Sequence, residues 1–311
     1  MTLCQYCVDR ERAETGGLKG GHCFFMANSI ETYTDTQLMT ALLTRDFSTI
    51  NREFIDDIIT SVKVGAFYQA QNLDKVSLPA ATVIKMNAFM ETSLSTLELT
   101  WASLTSIGQQ AFYKGWHVLP QTLSLPNVTE LGAGAFGGVS SAKNTRLVSV
   151  SLPSWTGTVP NGSGLPGSTY GPFEYCSSLA SVSLPELTSL PTACFRGCTA
   201  LQEIVLPKVS RFASNNFLGC SNLKKIDIGG AVTTMTALFL PSSSNLDVLI
   251  LRGVTTVPTL GASVFNGTDI EYGYCYIYVP KSLEAAFKVA TNWSTYSSQI
   301  RAIEDYPSIC G

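Results

Sequence analysis

Three cysteines, Cys176, Cys198 and Cys220, recur at an interval of 22 residues. A regular row of thiols could form a metal or redox column, because the thiolate is both a metal ligand and a nucleophile. The same spacing suits a ladder of small inward side chains, since free cysteine packs as a compact hydrophobe. No second ligand type repeats beside the three, and three stacked thiols cannot all pair with one another. The structural reading is therefore the expectation, and Cys194, at a position where other units carry alanine, fits it too. A second group, Cys4 and Cys7 with His22 and Cys23, offers four atoms of the kind that hold zinc tetrahedrally. A two-residue gap lets Cys4 and Cys7 reach one ion, but an adjacent His-Cys pair is not a usual second half. These four stand as candidate ligands beside the reading of a terminus with reduced thiols, and no cofactor is expected. The only other histidine, His117, falls in a loop-like KGWHVLP stretch. With no G-x-S-x-G, Walker or Rossmann motif and no paired carboxylates, the chain reads as a non-enzyme.

Composition narrows the field further. Charged residues make up 14% of the 311, well below the roughly 25% usual in globular proteins. Net charge is -3 and no Lys/Arg run occurs, which argues against a nucleic-acid partner. No apolar run is long enough to span a membrane as a helix. The opening MTLCQYCVDRERAETGG lacks the apolar core of a secretory signal, so the expected location is a bacterial cytoplasm or a phage virion.

Any site in this chain would be positioned by a repeat. Residues 179–198 and 201–220 repeat one pattern: Leu179 matches Leu201, Leu184 matches Leu206, Phe195 matches Phe217. Anchor phenylalanines stand at 67, 89, 112, 136, 173, 195, 217, 239 and 265. A second anchor closes a short strand at Leu78, Leu99, Leu125, Leu152, Leu184, Leu206, Ile228, Leu251 and Val279. A period of this length predicts a leucine-rich repeat solenoid. Its parallel sheet is built of short strands, its opposite side carries short helical, 3-10 or irregular segments, and both ends are capped. Side chains alternate along a strand, so Val76 and Leu78 go inward while Lys75 and Ser77 go outward. Proline, as at Pro79, Pro153 and Pro207, ends each strand because it cannot donate to a ladder. Residues 1–62 read as an N-terminal segment with an irregular capping repeat. Residues 63–280 hold about nine units, and 281–311 a helical cap beginning near Ser282 with an exposed tail.

Insertions near 137–146 and 153–172 break the rhythm, and the second displays Trp155 and Tyr170. Inserted loops carry function more often than scaffolds do. The outward strand positions form two columns. One runs Ser77, Glu98, Ser124, Ser151, Ser183, Val205, Asp227, Ile250, Tyr278, and the other ends at Val248 and Tyr276. Trp155, Tyr170, Tyr276 and Tyr278 are therefore the candidate binding residues. The competing reading is that Ser and Thr only solvate the sheet and that the last aromatics pack beneath the cap.

The unit L-x-x-V-x-L-P-x-x-T-x-I-G-x-x-A-F-x-x-C, clearest in 94–112 and 179–220, resembles the BspA-like leucine-rich repeat family. The stretch from Leu249 to the end is similar to the C-termini of versions encoded by phages and prophages of gut Firmicutes. The resemblance implies a non-enzymatic recognition or adhesion protein that binds a host-surface protein or glycan and can be incorporated into a phage particle. The alternatives are a structural subunit docked through residues 1–62 and an intracellular protein-binding effector.

Overall fold

The computed structural model describes residues 53–55, 57–70, 73–157, 170–235 and 245–311. They form a stack of coils, each with one broad strand and one very short one. The broad strands pair in parallel in three runs. Glu53–Ile55, Lys75–Leu78 and Thr96–Leu99 form the first. Thr122–Ser124, Ser149–Ser151 and Ser181–Ser183 form the second. Glu203–Leu206, Lys225–Ile228, Val248–Leu251, Tyr276–Val279 and Ile300–Ala302 form the third. The register aligns equivalent residues of successive units, so Glu203 faces Lys225, Lys225 faces Val248 and Val248 faces Tyr276. The fold is thus a parallel-strand solenoid of the leucine-rich type with little helix.

The other side of the coil differs from the helical segment expected there. Two-residue strands such as Val83–Ile84, Ser106–Ile107 and Glu130–Leu131 form a second parallel ladder. Each places an apolar residue five positions before the anchor phenylalanine, as Ile84 does for Phe89 and Leu190 for Phe195. That residue is buried at both positions. After each short strand the backbone N–H groups alternate between the neighbouring coil, as Phe89 N does to Ala111 O, and their own turn, as Ala88 N does to Lys85 O, so no continuous helix forms. Threonine hydroxyls reinforce the ladder: Thr82 Oγ1 donates to Thr60 O and Thr105 Oγ1 to Thr82 O, both at 3.2 Å.

The core is a column of rings. Phe67, Phe89, Phe112, Phe136, Phe173, Phe195 and Phe217 stack with centroids 5.1–5.9 Å apart and planes within 12° of parallel. Phe136 and Phe173 stack at 5.7 Å although they stand 37 positions apart, so the ring column continues unbroken across the long unit. Burying each ring is worth about 1.5–3 kcal/mol. The chain bends sharply around the rings. Residues two before the anchor, among them Gly65, Asn87, Gln110, Gly134, Ala193 and Asn215, have φ between 52° and 64°. Several residues two after it, including Gln69, Glu91, Lys114, Tyr175 and Gly197, also have positive φ, between 53° and 72°. This left-handed region is sterically costly for side-chain-bearing residues, so the turn geometry is imposed by the stack.

The column is closed at its C-terminal end by rings turned across it. Phe265 meets Trp293 at 63° and Tyr296 at 82°, and Phe287 meets Trp293 at 76°. Trp293 Nε1 donates to Pro258 O at 2.8 Å, which satisfies its one polar atom in the core. The helix supplying Phe287 spans Lys281–Val289 and starts directly after Pro280, not behind a Ser282 cap. Its first N–H is satisfied from outside: Lys281 N donates to Glu304 Oε2 at 2.9 Å.

Candidate recognition surface

The outward strand positions divide into an open part and a covered part. From the strand at Thr96 to the strand at Glu203, the side chains are small and mostly hydroxylated. Thr96, Glu98, Thr122, Ser124, Ser181, Ser183, Glu203 and Val205 are exposed, and Ser149 and Ser151 are half-buried. Hydroxyls both donate and accept, so this strip offers hydrogen bonds without selecting a charge. Its N-terminal border is the Lys75–Glu98 ion pair at 2.8 Å. Hydrogen bonds from Lys75 and Ser77 hold the Glu98 carboxyl below the usual carboxylate range.

Beyond Glu203 the same columns are covered by the end of the chain. Ile250 and Tyr278 are buried against Cys310, with Val248, Ile303, Tyr306 and Ile309 packed around them. Tyr278 and Tyr306 meet edge to face at 5.4 Å. Arg301 lies 3.8 Å from the Tyr276 ring centroid and donates to Tyr306 Oη at 2.7 Å. Lys225 Nζ donates to Ile309 O at 2.7 Å, and Arg252 donates to Cys310 O. Arg252 Nη2 also pairs with Asp227 Oδ2 at 2.6 Å. The tail is therefore a helical turn, Pro307–Cys310, packed down through Tyr306, Ile309 and Cys310, while Glu304, Asp305, Pro307, Ser308 and Gly311 keep the exposure expected of the end. Its few apolar residues are too short a run to show a period, so nothing local marks them as buried.

The expected binding residues fare differently. Trp155 is fully buried, which corrects the expectation that the insertion displays it. It sits three residues after Leu152 and its N–H donates to Leu152 O at 3.3 Å. Val128 and Leu187 make the same bond to Leu125 and Leu184, so Trp155 occupies an inward repeat position. Tyr278 is likewise buried, beneath the tail, which is the competing reading of the C-terminal aromatics and corrects its placement among free outward rings. Tyr276 is 38% exposed and Tyr170 41%. Tyr170 packs at 6.1 Å against Tyr113, far along the sequence from Tyr276. The four do not form one site. Lys225, Asp227 and Arg252, which grip the tail, carried no motif; a cation and an acid in adjacent outward columns were the available signal.

The thiol row is a hydrogen-bonded ladder in the core. Cys176, Cys198 and Cys220 are buried and free. Each S–H donates to the carbonyl of the anchor phenylalanine one coil back: Phe136 at 3.4 Å, Phe173 at 3.2 Å, Phe195 at 3.0 Å. Asn144 does the same from the first insertion, donating to Phe136 O at 2.9 Å. Burial pushes the Cys220 thiol up to about 12 and the Cys176 and Cys198 thiols up as well. The thiolate is the metal ligand and nucleophile, so burial that favours the protonated form fits the structural reading of the row. Among the described residues no group of three or more His, Cys, Asp or Glu could hold a metal ion. Cys4, Cys7, His22 and Cys23 lie outside the described residues, as does Phe239. His117 is exposed at a 3-10 turn, and partial burial lowers its pKa. No described helix is long and apolar enough to cross a membrane.

A family profile described as BspA type Leucine rich repeat region matches residues 44–158 and 170–292, in six copies. Similar solved structures include a leucine rich cell surface protein from Faecalibacterium prausnitzii, 23% identical, TM-score 0.37. That match covers 59% of this chain and 55% of the other, so the chain spans little more than half its length. The pneumococcal vaccine antigen PcpA is 15% identical over 80% of this chain and 66% of its own, TM-score 0.44. A leucine-rich repeat protein from Bacteroides ovatus is 18% identical over 80% and 83%, TM-score 0.28. No curated protein matches the chain.

Proposed function

The chain belongs to the BspA-type leucine-rich repeat family, and on that premise we propose that it is a non-enzymatic recognition protein that binds a protein partner through the open hydroxylated strip. The observation that carries this reading is the repeated outward placement along the strip, in paired register across Thr122–Ser124, Ser149–Ser151 and Ser181–Ser183. Five successive coils present Thr96 and Glu98, Thr122 and Ser124, Ser149 and Ser151, Ser181 and Ser183, Glu203 and Val205 on one face. Solenoids bind through such extended faces because each coil adds contact area without a new core. Short side chains let a partner approach the sheet closely and lose little rotamer entropy on binding.

The test is an array of cell-surface proteins and glycans probed with the purified chain and two variants. Ser124→Arg with Ser183→Arg should weaken binding by more than about tenfold, as expected when bulk enters the centre of an interface. Tyr170→Ala should leave it unchanged. Loss with Tyr170→Ala and retention with the arginine variant would move the site to the insertion. A hit confined to glycans would replace the protein partner. No binding by the folded chain would favour a subunit docked through residues 1–62. The phage or prophage origin suggested by the C-terminal resemblance is a separate proposal, tested by whether antibody to the chain labels purified particles.

A further inference from the structure

The end of the chain sits on its own sheet as a ligand would. We infer that the outward face of the strands at Lys225–Ile228, Val248–Leu251 and Tyr276–Val279 is a peptide-docking site. Residues 306–311 are its resident occupant. It accepts in trans a peptide that carries an aromatic ring and a branched aliphatic side chain three residues apart on one helical turn. This site is distinct from the hydroxylated strip and does not depend on its having a partner.

Four observations carry the inference. The apolar contact under the tail, Ile250 and Tyr278 with Cys310, is separate from the continuous core that closes the solenoid. The coils do not need it in order to stack. The polar grip is on main-chain atoms: Lys225 reaches the carbonyl of Ile309, and Arg252 that of Cys310. Such bonds are open to any peptide of suitable shape. Arg252 is set in place by the sheet itself, since Asp227 holds it through Oδ1 at 3.3 Å and Oδ2 at 2.6 Å. Finally, the floor runs on past the tail. Val205 pairs in register with Asp227 and is 53% exposed, an apolar step beside the tail site.

The tail can also leave without dismantling the cap. Glu304 and Asp305 are tied to Lys281, by the bond to its N–H and an ion pair at 2.6 Å. The remainder of the tail is built on a four-residue turn, Pro307–Cys310, and so short a helix is not stable on its own.

Fluorescence anisotropy with a labelled peptide of residues 304–311 tests this, using the intact chain and a chain ending at Asp305. The shortened chain should bind the peptide saturably. The intact chain should bind it about ten- to a hundredfold more weakly, because its own tail occupies the site most of the time. Arg252→Ala with Lys225→Ala in the shortened chain should abolish binding, and a scrambled peptide should not bind. A shortened chain that melts cooperatively yet ignores the peptide overturns the inference, as does equal binding of the scrambled peptide. If the shortened chain fails to fold, the intact chain decides. Excess peptide carrying Cys310→Ser should speed alkylation of the chain's Cys310 by about tenfold while Cys198 stays protected, as local opening requires. Unchanged alkylation of Cys310 would show the tail to be a fixed part of the cap.

Discussion

Trp155→Ala separates a core residue from a loop residue. The indole is fully buried and occupies the inward position filled by Val128 one coil before and Leu187 one coil after. Truncating a buried tryptophan costs about 3–5 kcal/mol, the transfer loss plus the cavity left behind. Little collapse can relieve that cavity, because the strands on either side, Thr122–Ser124 and Ser181–Ser183, are fixed to Ser149–Ser151 by the ladder. The assay is urea unfolding followed by circular dichroism, with thermal melting beside it. The midpoint should fall by on the order of 10 °C. Since each coil touches only its neighbours, the transition should also broaden, as the array parts at the damaged coil. Acrylamide should quench little of the Trp155 emission in the native state, in contrast to the half-buried Trp101 and Trp116. A loss of less than about 0.5 kcal/mol, typical of surface sites, would refute the register argument. Tyr170→Ala, at 41% exposure, is the matched surface control. A variant combining the two would confound binding with unfolding.

Three further outcomes are expected. Stability should fall as pH rises above about 9: the unfolded Cys220 thiol ionises from 9.0 while the folded one is held up to about 12, so the folded state retains the proton and its advantage is lost through that window. Urea midpoints at pH 8 and pH 10 check this, and Cys220→Ser should flatten the slope; a midpoint independent of pH would count against buried thiols. At the ring turns, Gly197→Ala should destabilise by about 2 kcal/mol, from the left-handed penalty and from a Cβ only 2.4 Å from the Tyr175 ring. Ala193→Gly, at φ 54°, should gain up to about 1 kcal/mol in the same denaturation assay, and a loss there would mean the turn is not strained.

The repeat was legible because its signals are long-range and redundant. Phe195 and Phe217, Leu184 and Leu206, Cys198 and Cys220 each report the same interval, and the observed register keeps the outward columns as read. Trp155 was misread although its signal was present: it follows Leu152 by three, as Leu187 follows Leu184, but it stands at the start of a Gly/Ser/Pro-rich insertion. The two-residue strands were hidden because alternation cannot show in two residues. The part played by the tail was hidden because its burial depends on Ile250 and Tyr278, residues distant in sequence, although the competing reading already put the last aromatics beneath a cap. Of the candidate surface, the hydroxylated strip was visible in advance, and its C-terminal limit stood as the competing reading of the last aromatics.

The uniform 22-residue units between Phe173 and Phe217 have a consequence for how such a gene can change. Their rings stack at 5.7 and 5.9 Å, and their thiols bond back by one coil in the same way. A recombination event that adds or removes one unit would therefore rejoin equivalent surfaces and lengthen or shorten the face by about one strand spacing, ~4.8 Å. Units beside the insertions have no such exchangeable neighbour. Copy number can drift in one part of the array while the capped end stays constant, and the reach of the surface becomes a quantity set by unequal crossing-over rather than by point substitution.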